Sequence, residues 1–196
     1  MMKKSGFQRF MENGSWACLV LTAVFLFCRL VFGGAAFTAL TITFSTILYH
    51  FAVRLAIGAA MDRLTANGIN YRCRWFSQSK AEHTLFRLLK VHRWKLKLPT
   101  YTPEKFSLKE NTPEQVICNM CAAEVIHEIN IAASLVPAVV SIAVPFLRDT
   151  LIVFALTSAA AALFDLLFVI IQRYNRPRMM RLIRHKIRSN KLAAQG

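Results

Sequence analysis

Read as a pattern of apolar and polar positions, the chain separates into four long apolar runs and three polar, basic stretches. The runs cover about residues 15–32, 35–61, 129–147 and 150–171. Each is near the roughly 20 mainly apolar residues that a helix needs to cross a bilayer, so each predicts a transmembrane helix.

The polar stretches carry signals of another kind. In "KAEHTLFRLLKVHRWKLKLP", Leu85, Leu88, Leu89 and His92 recur at helical spacing, with Arg87, Lys90, Arg93, Lys95 and Lys97 among them. That pattern predicts a helix lying at a lipid surface, ended by Pro99 and Pro103. "NTPEQV" predicts a restart, with Thr112 as N-cap, Pro113 at the first helical position and Gln115 closing a capping box. Beyond the fourth run, Pro177 in "NRPR" predicts a helix end, because proline disfavours a helical residue before it. Arg181, Arg184 and Arg188 then lie opposite Leu182, Ile183 and Ile187, which predicts a further surface helix over anionic lipid.

The expected fold class is therefore an all-α integral membrane protein, with four transmembrane helices and amphipathic surface helices on the cytoplasmic side. No internal repeat, low-complexity tract or Gly/Ser linker divides the chain, so residues 1–196 read as a single membrane domain.

Composition agrees with the pattern. A 196-residue chain that is 55% hydrophobic, with positive mean hydropathy, is too apolar for an ordinary soluble domain. Its net charge of +15 raises nucleic acid as a partner, but the cations flank the apolar runs instead of forming an aromatic-interleaved module, so no nucleic acid is expected. The positive-inside rule explains them instead. Lys3, Lys4 and Arg9, the cytoplasmic segment 63–112, and the basic tail 173–196 all belong on one side, which requires an even number of crossings between them. Two hairpins satisfy this, with outer links near Gly33-Gly34 and Arg148-Asp149. The expectation is a multi-pass protein of the cell membrane with both termini cytoplasmic. Arg29 interrupts the first run and a second run follows at once, so the start reads as a retained span and not as a cleaved signal. Five cysteines, Cys18, Cys28, Cys73, Cys118 and Cys121, make an odd set without framework spacing, and free thiols are expected.

Candidate chemistry gathers at the inner ends of the spans. Glu124 and His127 are three apart, so on a helix they share a face and can touch. A carboxylate beside an imidazole fixes one tautomer and raises the basicity of the other nitrogen, as a general base for a hydroxyl requires. The alternative is that both side chains simply sit among lipid headgroups. Cys118, Cys121, Glu124 and His127 recur every third residue, but the outer two lie roughly 13 Å apart along a straight helix, too far for one ion. Glu-x-x-His also occurs in di-iron bundles, which need a second copy that this chain lacks, so no metal site is expected. His50 and Arg54, four apart in the second run, either snorkel to the interface or face phosphate groups of a substrate at the depth of Gln172 and Arg173. Arg29 and Asp165 stay open as structural partners. No G-x-S-x-G elbow, P-loop or dinucleotide fingerprint is present.

Three segments in order, "LFRLLKVHRWKLKLP", "AEVIH" and "IIQRYNRPR", resemble the glycosyl-4,4'-diaponeurosporenoate acyltransferase family over roughly residues 85–188. These enzymes place a fatty acyl chain on a glycosylated carotenoid. The resemblance implies membrane-bound O-acyl transfer to a sugar hydroxyl, with acyl-CoA as donor from the cytoplasm and no bound cofactor. On this reading His127 is the base, oriented by Glu124, while Arg173 and Arg176 hold anionic groups of donor or acceptor. Gln172, Tyr174, Asn175 and Arg178 of "QRYNRPR", with Trp94 and Lys95, complete the expected substrate-binding set. Glu128 stands where the family has an aromatic residue, and the N-terminal hairpin departs from it as well; both bear on the acceptor, which becomes a glycosylated isoprenoid or another glycolipid. The expected partners are membrane lipid and that acceptor. Two other classes stay open: a non-enzymatic protein that binds or moves anionic lipid, and an accessory subunit of a membrane enzyme.

Overall fold

A computed structural model describes residues 5–193. Lys3 and Lys4, counted above among the cytoplasmic cations, lie outside the described residues, as do the tail beyond residue 193 and the side chains of Ile187 and Lys191. The protein is all-helical, with no strand among the described residues. In chain order the helices are α1 (Gly6–Phe32), α2 (Ala35–Leu64), α3 (Lys80–Leu88), α4 (Val91–Trp94), α5 (Pro113–Ser134), α6 (Val136–Ala143) and α7 (Leu151–Ala193). Short 3₁₀ turns occupy Arg74–Phe76, Pro103–Phe106 and Pro145–Thr150. Four segments are long and apolar enough to cross a membrane: Gly6–Phe32, Ala35–Leu64, Pro113–Ala143 and Leu147–His185. Large apolar side chains such as Phe27, Leu30, Ile152 and Leu156 stay exposed along them. An exterior this apolar suits lipid as its solvent.

The chain forms two compact units, Met1–Ala60 with Ile129–Phe164, and Met61–Glu128 with Asp165–Gly196. In the first, α1 and α2 make a hairpin. Ser5 caps α1 by accepting from the Gln8 N–H at 3.0 Å. Gly33 (φ 72°) and Gly34 (φ 94°) form the whole link, a left-handed pair that other residues enter only with strain. Ring contacts at Phe10–Phe51, Phe25–Phe44 and Phe32–Phe37 step along the two helices in opposite directions. Gly14 lets the Phe51 ring approach to where a Cβ would stand at 3.0 Å.

Pro137 explains the break between α5 and α6 at Leu135. Proline has no N–H to offer the carbonyl four residues earlier, which is that of Ala133. The Tyr49 hydroxyl supplies the missing donor at 2.8 Å. Arg54 works similarly on polar groups of the same unit: Nη1 donates to the His50 carbonyl at 2.8 Å, and Nη2 to Ser134 Oγ at 3.3 Å and the Ala161 carbonyl at 3.2 Å.

The second unit has the denser apolar core, built from Phe76, Phe86, Val91, Val116, Ile117, Met120, Cys121, Val169 and Ile183. The capping box expected at α5 is formed: the Gln115 N–H donates to Thr112 Oγ1 at 3.2 Å, and the Thr112 N–H to Gln115 Oε1 at 2.8 Å. A second one starts α3, where Ser79 and Glu82 exchange the same pair of bonds at 3.1 and 2.7 Å.

Two expectations are corrected. The surface helix ends at Leu88, well before Pro99, because Lys90 turns left-handed (φ 51°) and swings Val91 into full burial. Phe86 is the residue that α3 turns inward, while Leu85, Leu88 and Leu89 remain exposed. Pro177 does not end a helix either, since α7 runs through it to Ala193. Proline there removes the hydrogen bond to the Arg173 carbonyl, but Arg173 and Arg176, both in the turn that leads into the proline, are fixed by side-chain bonds to other elements.

Candidate active site

The face of α5 that carries Glu124, His127 and Glu128 meets the face of α7 that carries Asp165, Phe168, Arg173 and Arg176, all within the second unit. On α5 His127 and Glu128 lie three and four residues after Glu124, and on α7 Asp165 and Phe168, like Arg173 and Arg176, are pairs three apart, which sets each group on one face of its helix. As the partners descend α5 from His127 to Glu124 they ascend α7 from Asp165 to Arg176, so the two stripes run antiparallel.

Glu124 is completely buried. A carboxylate there costs several kcal/mol of lost hydration unless it is paired. Arg173 Nε lies 2.9 Å from Oε1, and Arg176 Nη2 pairs with Oε2. The same two arginines tie down α3 and the segment before it. Arg173 Nη1 reaches Glu82 Oε1 at 2.5 Å, and its Nη2 donates to the Trp75 carbonyl at 3.0 Å. Arg176 Nη1 donates to the Phe76 carbonyl at 2.5 Å, and its guanidinium lies 5.0 Å from the Phe76 ring centre. Glu128 accepts from Trp75 Nε1 at 2.9 Å and lies 3.7 Å from Arg173. Burial alone raises the carboxyl pKa of Glu82, but the Ser79 backbone N–H and Arg173 outweigh it and hold the group below its ordinary value.

His127 has a different carboxylate from the one its sequence neighbourhood offers. Its Nδ1 lies 2.8 Å from Oδ1 of Asp165, which is 1% exposed, and its ring stacks on Phe168 with centres 4.7 Å apart. Glu124, expected to orient His127, is instead bound to the two arginines. An Nδ1–H donated to Asp165 leaves the lone pair on Nε2, and the side chain keeps 21% exposure. That is the arrangement of a general base. Glu82 and Trp75 are contributors that sequence reading missed, and Asp165 was left open there as a structural partner without a role at His127. Of these only Asp165 carried a usable signal, as a carboxylate within an apolar run, where ionisable groups have a function by default.

The remaining expected residues fall into separate groups. Lys95 Nζ donates to Asn175 Oδ1 at 2.7 Å and lies 5.1 Å from the Tyr174 ring centre. The Arg178 guanidinium also lies 5.0 Å from that ring centre, and its Nη2 donates to the Tyr174 hydroxyl at 3.1 Å. Burial and then the Arg178 charge push the Lys95 ammonium pKa down. Trp94 lies beside Lys95, its Nε1 bonded to the Leu89 carbonyl. Gln172 is half-buried on α7. His50 and Arg54 belong to the other unit. Among the described residues no three His, Cys, Asp or Glu side chains are arranged to hold a metal ion.

The sequence profile of the glycosyl-4,4'-diaponeurosporenoate acyltransferase family (CrtO) matches residues 72–185, more than half of the chain. The chain belongs to this family. No curated protein and no solved structure matches it. As a glycosyl-4,4'-diaponeurosporenoate acyltransferase family member it is an acyltransferase of carotenoid biosynthesis, which decides between the enzyme and the lipid-binding reading. The match begins thirteen residues earlier than the resemblance read from Leu85 onward, so within this family it takes in Trp75, Phe76 and Glu82 as well as both faces of the α5–α7 pair.

Proposed function

We propose that this acyltransferase moves a fatty acyl group from acyl-CoA to a sugar hydroxyl of a glycosylated isoprenoid or other glycolipid, at the cytoplasmic face of the cell membrane. His127 is the general base and Asp165 positions it. The observation that carries this reading is the 2.8 Å contact from Asp165 to His127 Nδ1, which leaves Nε2 as the accepting nitrogen. The cytoplasmic placement is supported by cations that flank an even number of apolar helices.

In the proposed step, His127 Nε2 takes the proton of the acceptor hydroxyl while its oxygen attacks the thioester carbonyl. The tetrahedral centre collapses, the carbon–sulfur bond breaks, and the thiolate leaves with the proton returned from Nε2. Ester and free thiol are the products, and the imidazole is restored. Asp165 stabilises the imidazolium that exists between the two transfers. Glu124, Arg173 and Arg176 hold α5 against α7 and thereby set the distance between His127 and Asp165. Trp94, Lys95, Gln172, Tyr174, Asn175 and Arg178 are assigned to the acceptor's headgroup, for which hydrogen-bonding groups and an aromatic face are suitable surroundings.

The test is a purified-membrane assay with labelled acyl-CoA and extracted glycolipid. His127→Ala is expected to lower transfer by about 10²–10⁴-fold, the usual contribution of a positioned base. Undiminished transfer by that variant would sink the assignment.

A further inference from the structure

A second constellation in the same unit has no part in the proton transfer. Arg176, Pro177, Met180, Arg181 and Arg184 form one stripe of α7, and across from it stand residues 71–78 and His83 of α3, enclosing a cleft of about 500 Å³. Small-molecule sites have volumes of roughly 300–1,000 Å³. Four arginines, Arg72, Arg176, Arg181 and Arg184, line it together with His83, and among the described residues no carboxylate does. Arg176 is neutralised by Glu124. Arg72, Arg181 and Arg184 are exposed, and none forms an ion pair among the described residues.

The cleft has fixed walls. The Trp75 and Phe76 carbonyls are bonded by Arg173 and Arg176, so the 71–78 segment is fastened to α7 at two successive peptides. Phe76 is buried against the Arg176 guanidinium, and Arg176 is itself 4% exposed. Ser77 and Gln78 add neutral donors at the same wall. Several guanidinium groups lining one pocket, three of them without an ion pair among the described residues, are suited to phosphoryl oxygens, which accept such forks in bidentate fashion.

We propose that this cleft binds the phosphoryl groups of the acyl donor, a nucleotide-bearing thioester, through Arg72, Arg181 and Arg184. The identity of the donor rests on the acyl-transfer reading; the phosphoryl chemistry rests on the cleft alone. A phospholipid headgroup offers the same chemistry, so the experiment needs an arm for each source.

The full chain is reconstituted in nanodiscs of phosphatidylcholine and titrated calorimetrically with CoA, or with pantetheine, which lacks the phosphates. CoA is expected to bind and pantetheine not to. Arg181→Gln combined with Arg184→Gln is expected to weaken CoA by at least about tenfold, and Arg72→Gln by a smaller factor, as loss of charge-assisted contacts implies. Arg93→Gln, an exposed cation outside the cleft, leaves binding within about twofold. In the second arm the nanodiscs contain phosphatidic acid, and lipid retained on purification is measured. Retention that the double variant loses, with no CoA binding, keeps the phosphoryl site and assigns it to a headgroup. Equal binding of both ligands by wild type and double variant overturns the proposal, provided that the two unfold at the same temperature. The outcomes also separate the two proposals: arginine-dependent CoA binding without any acylated product retains the cleft and discards the transfer reading. Full transfer by the double variant at subsaturating donor does the opposite.

Discussion

Replacing Asp165 by Asn isolates what the carboxylate does for His127. The two side chains are nearly the same size, and Asp165 is 1% exposed, so the packing beside Phe168 is retained. What changes is the bond to Nδ1. A carboxylate can only accept, so it fixes the Nδ1–H tautomer; an amide can turn its NH₂ toward Nδ1, and the ring proton then occupies Nε2, the atom that must receive one. Charge-assisted hydrogen bonds contribute about 1.5–3 kcal/mol against roughly 0.5–1.5 for neutral ones, so the change removes on the order of 1.5 kcal/mol before any tautomer shift. That alone is about tenfold in rate. The imidazolium formed during reaction also loses its counter-charge, an attraction of about 4 kcal/mol for a contact pair at an effective dielectric of 20, part of which the amide dipole replaces. The expected result is a kcat lower by about 10²–10³, with KM changed by less than about threefold, because the loss falls on the transition state. Initial rates of labelled acyl transfer over a range of donor concentrations measure both constants. His127→Ala and the double variant belong in the same series. Two residues that act as one unit give a double variant no slower than the worse single one. Turnover by Asp165→Asn within about twofold of wild type, beside an inactive His127→Ala, refutes the positioning role.

Three further outcomes are expected. Glu124→Gln leaves a buried guanidinium without its carboxylate and costs about 3–5 kcal/mol, seen as a lower thermal unfolding midpoint in detergent; an unchanged midpoint rejects the ion pairs as the joint between α5 and α7. Tyr49→Phe removes the donor to the Ala133 carbonyl and destabilises by about 0.6–1.7 kcal/mol, but by less in a Pro137→Ala background, where the new amide N–H takes its place. Equal costs in both backgrounds reject that account. Glu82 has a folded-state pKa below its ordinary value, so its contribution to stability is complete above the unfolded value of about 4.3 and is lost as pH falls through the lower folded one. Unfolding midpoints of wild type then decline on acidification below that value while Glu82→Gln flattens the decline, and parallel curves for the two contradict it.

The spans and the start of α5 were legible because both are local. Hydropathy over some twenty residues needs no partner, and the Thr112–Gln115 box closes within four residues. The site was legible in its members but not in its pairings. Glu124 and His127 satisfy the rule for neighbours on a helix, and that rule assigned them to each other. In the fold a buried carboxylate goes to the stronger cations, Arg173 and Arg176, and His127 takes a carboxylate 38 positions away. Glu128, read as a departure bearing on the acceptor, is occupied with Trp75 and Arg173. The break at Lys90 and the passage of α7 through Pro177 were hidden for the same reason. Each is set by tertiary anchoring, of Val91 in the core and of Arg173 and Arg176 beside the proline, that outweighs local propensity.

Because α7 does not stop at Pro177, Asp165 and Arg181 are stations on a single rod. Sixteen residues at 1.5 Å set them about 24 Å apart along its axis. On the proposed reading the helix acts as a ruler: a donor held by its phosphates in the cleft has to deliver its carbonyl beside His127. An acyl phosphate, whose carbonyl carbon and phosphorus share one oxygen, is too short to reach both marks, whereas a long-armed thioester has the length.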